Sequence, residues 1–233
     1  MGWGKIMRRT SLVAALCAVL IALAFTAAGW ARQRVWHVAA QSGFEAKVEY
    51  CKTCHGLSGE GYRGYYPIPR LAGQQPKYIE NQLRAFLERR RKSPLGAARE
   101  AGAEGVMLNV AHGLSPAQFG ALAAHFRSLD PAPLGGAPTE QMSLGKRIYE
   151  NGLPETNVPA CMACHGPDGK GGAEIPRLAG QLYPYTLHEL AYWTRERGQN
   201  GAKDDVSAIM IPTVQNLTPA QASAVAAYVS SLR

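Results

Sequence analysis

The chain has five cysteines in 233 residues, and none is spare for a structural disulfide. Four fall in two phrases, CKTCHG at 51–56 and CMACHG at 161–166, and the fifth, Cys17, sits inside an uncharged apolar run. A small fold held together by disulfides is therefore excluded. No basic stripe laced with aromatics is present, which removes nucleic acid as a partner. The formal charge of +8 misleads here: the residues before Ser42 hold five basic groups and no acidic ones, and 42–233 hold 20 basic and 17 acidic groups, a net +3. The one basic cluster, ERRRK at 88–92, reads as a solvated helix face rather than a docking patch. No stretch alternates apolar and polar residues as a half-buried strand would, so the expected class is all-α.

What is present is a repeat. PRLAGQ occurs at 69–74 and again, letter for letter, at 176–181. LSPAQFGALAAHFRSL (114–129) matches LTPAQASAVAAYVSSL (217–232) at nine of sixteen positions. Between these blocks Tyr78, Leu83 and Phe86 correspond to Tyr185, Leu190 and Trp193. Each half runs in the same order: CxxCHG, PRLAGQ, an aromatic helix, a methionine, a closing helix. The expected organisation is a first domain over 42–130, a linker over 131–139 rich in proline and glycine, and a second domain over 140–233. The closing helices begin at Ser115-Pro116 and Thr218-Pro219, an N-cap followed by proline at the first helical position. Phe119, Leu122, Ala123 and Phe126 in one, and Ala222, Val225, Ala226 and Val229 in the other, recur at helical spacing and form the expected buried faces. YIENQLRAFLERRR (78–91) and YTLHELAYWTRER (185–197) are the middle helices.

Residues 1–41 form a separate segment. Leu12 to Trp30 are apolar and uncharged, with Lys5, Arg8 and Arg9 before them and Arg32, Arg34 and Trp36 after. Nineteen helical residues span about 28 Å, close to the hydrocarbon thickness of a bilayer. That length favours a retained membrane anchor over 12–30; a cleaved export signal, with a stalk following, is the alternative. Either delivers the rest of the chain outside the cytoplasm.

Cysteines three apart with a histidine directly after them fit a zinc site, a thiol–disulfide switch or covalent haem attachment. Zinc wants four ligands close together, and the two phrases lie 110 residues apart in different domains. A thioredoxin-like switch wants strands that are missing. An exported chain with one CxxCH unit per half fits one c-type haem in each: Cys51 and Cys54 with His55, and Cys161 and Cys164 with His165. A second axial ligand should recur in register. Met107 lies seven residues before Leu114, and Met210 seven before Leu217. No histidine repeats this way: His112 pairs with Gln215, His125 with Tyr228 and His188 with Asn81. His112 is the competing ligand in the first half, and His125 reads as a helix-packing residue.

On these residues the sequence resembles the cytochrome c4 family, di-haem members of the class I cytochromes c, over about 42–233. The resemblance implies two tandem class I cytochrome c domains, each wrapped round one covalent haem. It implies His55 with Met107, and His165 with Met210, as axial iron ligands. It also implies that the carbonyls of Pro69 and Pro176 orient the two histidines. The function it implies is single-electron transfer on the periplasmic side of the bacterial inner membrane, from a quinol-oxidising cytochrome bc complex or a dehydrogenase to a haem–copper oxidase of the cbb3 kind. No catalytic residue and no small-molecule substrate are expected. The alternatives are a haem subunit of a dehydrogenase or oxidase complex, and a di-haem peroxidase-type enzyme.

Overall fold

The computed structural model describes residues 43–64, 66–92, 105–197 and 206–233. The apolar run at 12–30 lies outside the described residues, and among the described residues no helix is long and apolar enough to cross a membrane. Residues 1–48 and 49–233 form two compact units. Both CxxCHG phrases belong to the second unit. Among the described residues, 43–55 are helical (α1), and the first CxxCH lies at the C-terminal end of this stretch.

The first half continues with α2 (Pro76–Leu87), α3 (Val106–His112) and α4 (Pro116–Arg127), and α2 packs against both others. Ile79, Leu83 and Phe86 recur on one face of α2 and are buried, as are Phe119, Leu122 and Phe126 on α4. In the second half α5 (Met142–Asn151) crosses α9 (Pro219–Ser231). The short α6 (Met162–His165) carries the second CxxCH, and α7 (Tyr183–Glu196) packs on α9 and α8 (Met210–Gln215).

Both closing helices start where the Ser-Pro and Thr-Pro signals put them. The Gln118 carboxamide accepts from the Ser115 amide at 2.8 Å. Thr218 and Gln221 exchange the full reciprocal pair at 2.8 and 3.3 Å. These bonds satisfy amides that the first turn leaves without partners. All eight apolar positions expected on these helices are buried.

Two local expectations are corrected. A strand pair does exist: Tyr62–Arg63 (β1) runs antiparallel to Pro67–Ile68 (β2), with Tyr62 opposite Ile68. Two residues per strand are too few to show alternation. The first middle helix also stops at Leu87 instead of running to Arg91. Arg89 adopts φ +56°, the Arg90 amide donates to Ala85 O at 2.8 Å, and the Arg89 amide donates to Phe86 O at 3.1 Å. This left-handed C-terminal motif turns the chain back on itself. It splits the ERRRK cluster: Arg90 pairs with Glu88, while the Arg91 side chain is 11% exposed and points between the halves.

The halves meet through their two PRLAGQ segments. The Arg70 amide donates to Gln181 Oε1 at 2.8 Å, and Gln181 Nε2 donates to Arg70 O at 3.0 Å. The mirror pair joins the Arg177 amide to Gln74 Oε1 at 2.7 Å and Gln74 Nε2 to Arg177 O at 3.0 Å. All four residues are buried, so each bond contributes about 0.5–1.5 kcal/mol net. Just before the linker Asp130 accepts from both Arg70 and Arg177, at 3.4 and 3.5 Å; it is 77% exposed, and solvent screens this bridge heavily.

Candidate functional site

A cavity of about 1710 Å³ runs along both halves. Ordinary ligand pockets measure about 300–1,000 Å³. Every candidate residue lies in its wall: Cys51, Cys54, His55, Pro69 and Met107 from the first half, and Cys161, Cys164, His165, Pro176 and Met210 from the second. His112 is exposed at the end of α3 and does not line it, and His125 packs edge-on against Phe126 at 5.3 Å.

The two histidines are held alike. Nδ1 of His55 donates to Pro69 O at 2.8 Å, and Nδ1 of His165 donates to Pro176 O at 2.9 Å. A carbonyl can only accept, so the proton sits on Nδ1 and the Nε2 lone pair is left for a metal. Burial pushes both imidazoles below their usual value, which keeps them neutral. The backbone supports this geometry. The Gly171 amide donates to His165 O at 2.8 Å with φ +63°, and a Cβ there would lie 2.5 Å from Pro176 O. Only glycine fits between the histidine turn and the carbonyl that orients it.

The thiols behave as attachment points rather than as a zinc or redox site. Cys54 and Cys164 are exposed, Cys51 and Cys161 are half-buried, and none is in a disulfide. Burial pushes the Cys161 thiol up to about 11, the opposite of what a reactive thiolate needs. Among the described residues no three His, Cys, Asp or Glu side chains converge on a metal position. A mostly apolar cavity, two thiols at its rim in each half and a neutral imidazole with its Nε2 free suit a covalently attached haem in each half.

The family model described as Cytochrome c matches residues 40–130 and 142–233. Two such domains make the protein a c-type cytochrome. A cytochrome c-552 from Acidithiobacillus ferridurans is 39% identical over 185 residues, which cover 78% of this chain and 73% of that one. Cytochrome c4 from Thiocapsa roseopersicina is 36% identical over 81% of this chain and 90% of its own length. A thiosulfate dehydrogenase electron acceptor from Thiomonas intermedia is 32% identical over 97% of this chain and 91% of its own. Among solved structures, cytochrome c4 of Acidithiobacillus ferrooxidans matches with a TM-score of 0.62 at 38% identity, covering 78% of this chain and 98% of that one. A thiosulfate dehydrogenase from Marichromatium purpuratum matches with a TM-score of 0.65 at 33% identity, over 78% of this chain and 36% of that one. The chain belongs to the cytochrome c4 family: it carries two covalent haem c groups and transfers electrons.

The sequence did not point to the residues that join the two sites. Tyr78, Gln82 and Arg91 from one half and Tyr185, Glu189 and Arg197 from the other form a hydrogen-bonded layer in the cavity wall. Burial alone would raise the Glu189 carboxyl, but the Arg197 and Arg91 guanidiniums outweigh it and hold it below the usual carboxylate range. One signal was available: Tyr78–Gln82 and Tyr185–Glu189 repeat at i, i+4, which puts each pair on one helix face.

A further pair lies at the edge of this layer. His188 Nε2 sits 3.1 Å from Glu196 Oε1, and its ring stacks on Tyr192 at 4.7 Å. The hydrogen bond to the Glu196 carboxylate raises the His188 imidazole above its usual value, against burial. A raised folded value means the pair's stabilisation is complete below the unfolded value of about 6.5 and is lost as pH climbs through the folded one. Melting midpoints of the native protein should therefore fall, relative to His188→Gln, as pH rises from about 6 through neutrality. Parallel curves for the two proteins would remove this role.

Proposed function

We propose that this protein relays single electrons on the periplasmic side of the inner membrane, held there by residues 12–30. Its domains are 42–130 and 140–233, joined by the linker 131–139. The donor is a quinol-oxidising cytochrome bc complex or a dehydrogenase, and the acceptor is a haem–copper oxidase of the cbb3 kind. The observation that carries the reading is the shared cavity, whose wall holds a carbonyl-anchored imidazole and a thioether in equivalent positions of both halves. Cys51, Cys54, Cys161 and Cys164 would hold the haems, and His55 with Met107, and His165 with Met210, would supply the nitrogen and sulfur ligands to the irons. Each haem, when bound, accepts and releases one electron. The protein's part is to fix the imidazole tautomer through Pro69 and Pro176, to supply a soft sulfur ligand that favours the reduced state, and to exclude water.

The dehydrogenase is the donor with a specific observation behind it. The relative from Thiomonas intermedia is described as a thiosulfate dehydrogenase electron acceptor, and its match extends over 97% of this chain. We therefore place a sulfur-oxidising dehydrogenase ahead of the bc complex as donor, with a fixed haem subunit of such an enzyme as the second reading.

The test is a redox titration with optical spectra on the native protein, Met107→Leu and Met210→Leu. Each variant is expected to lose half of the sulfur-to-iron charge-transfer band and to lower one of two potentials. If Met107→Leu leaves both unchanged and His112→Ala does not, the first-half ligand is His112. The anchor is checked separately: carbonate washing should leave the full chain in the membrane and release a chain lacking 1–41. Release of the full chain would place it free in the periplasm.

A further inference from the structure

The layer between the halves is built from similar parts that differ in charge at one equivalent pair of positions. Each half supplies a tyrosine, a residue four further along the same helix, and an arginine. Arg91 lies 4.7 Å over the Phe86 ring in the first half's wall and donates to Gln82 at 2.8 Å, to the Tyr185 hydroxyl at 2.8 Å and to Glu189 at 3.2 Å. Arg197 lies 4.5 Å over the Trp193 ring in the second half's wall and donates to Glu189 at 2.7 Å, to Gln82 at 2.6 Å and to the Tyr78 hydroxyl at 3.3 Å. Gln82 and Glu189 occupy equivalent places in the repeat. A carboxamide oxygen and a carboxylate accept the same hydrogen bonds here and differ by one unit of charge. The side chains of Arg91, Arg197 and Glu189 are 11, 3 and 10% exposed, so water screens that charge weakly. Glu189 shares a helix with Trp193 and makes its shorter contacts with Arg197, at 2.6 and 2.7 Å. The second half's arginine is therefore the closer of the two to the one carboxylate. Arg91 reaches the same carboxylate at the longer distance of 3.2 Å, and its own half adds only the neutral Gln82 carboxamide, so two guanidiniums share one carboxylate and the net positive charge is weighted toward the first half's wall.

We propose that the Gln82–Glu189 difference sets the direction in which the two sites share an electron: the first site, beside Arg91, the arginine farther from the one carboxylate, holds it more tightly than the second. One electron leaves the second site and one enters the first, so the second is oxidised as the first is reduced, with no bond made or broken and no proton transferred. Entry at the second half and exit from the first is the downhill order. This inference rests on the di-haem carrier reading and adds a direction to it.

The experiment is a redox titration of the full protein, the Gln82→Glu variant and the charge-conserving double variant Gln82→Glu/Glu189→Gln. Each potential is assigned to its half by NMR contacts of haem methyl groups with first-half or second-half side chains. Gln82→Glu is expected to lower the first potential more than the second. The double variant is expected to lower the first and raise the second, changing the ratio of the two singly reduced forms by about tenfold relative to the native protein, or about 59 mV for one electron. Equal shifts at both sites, or none, with two haems bound would overturn the proposal. Gln82→Glu balances the cluster's charge and decides the matter by itself if the double variant fails to mature. Haem count and the sulfur-to-iron band, read in the same titration, report on the carrier reading independently.

Discussion

Gly145→Ala is expected to unfold the second half while the first still binds its haem. The α5–α9 crossing leaves no room for a side chain at Gly145: a Cβ there would lie 2.0 Å from Ala224 O and 2.9 Å from Tyr228 Cβ. The first of these atoms is helix backbone and cannot swing aside, so the helices must separate. Ile148, Tyr149, Val225 and Val229, the buried cluster around this crossing, would then lose contact together. Overpacking costs about 1–3 kcal/mol where side chains can adjust. Here backbone meets backbone, and about 3 kcal/mol or more is expected. For a domain of this size that lowers melting by more than about 10 °C. Mass spectrometry of the variant should show chains carrying one haem, attached at Cys51 and Cys54. A normal melting curve with two haems would mean that α5 and α9 do not cross at Gly145.

Removing the charge at the centre of the interface should be nearly as damaging. Glu189→Leu leaves the Arg91 and Arg197 guanidiniums buried with no carboxylate between them. Breaking a buried ion pair from one side costs about 3–5 kcal/mol, mostly because the remaining charge is uncompensated. Both halves should loosen, since each arginine donates into the opposite half. The triple variant Arg91→Met/Glu189→Leu/Arg197→Met has no stranded charge and is expected to recover most of the lost stability. Denaturant midpoints of the three proteins check this. A triple variant no better than the single one would mean that hydrogen bonds to Tyr78, Tyr185 and Gln82, rather than the charges, hold the layer together.

Much of the molecule was legible in its letters. The caps at Ser115 and Thr218 and the buried faces of α4 and α9 follow from local signals and from the repeat, which also singled out the ten candidate residues; that they line one shared cavity was not legible. The contacts between the halves were not legible, and for specific reasons. Gln74 and Gln181 bond to backbone atoms of Arg177 and Arg70, and a backbone partner leaves no trace in side-chain pattern. Their one trace was the exact repetition of polar letters inside PRLAGQ, which core packing does not require. Arg91 looked solvated because a helix continued to its end would have carried it outward. The left-handed conformation at Arg89 turns it inward, and a non-glycine residue gives no warning of that.

The reciprocal glutamine bonds have a bearing on ancestry. Each half offers the other the same donor, the same acceptor and the same backbone stretch, so the surface is its own complement. A surface of that kind is what an isologous homodimer uses. A single-haem precursor bearing PRLAGQ could have paired with a second copy of itself before any gene fusion, and the chain between 131 and 139 would then have made permanent an association that concentration alone once governed. On this view Gln82 and Glu189 record what fusion later permitted: two positions that symmetry had kept identical became free to differ.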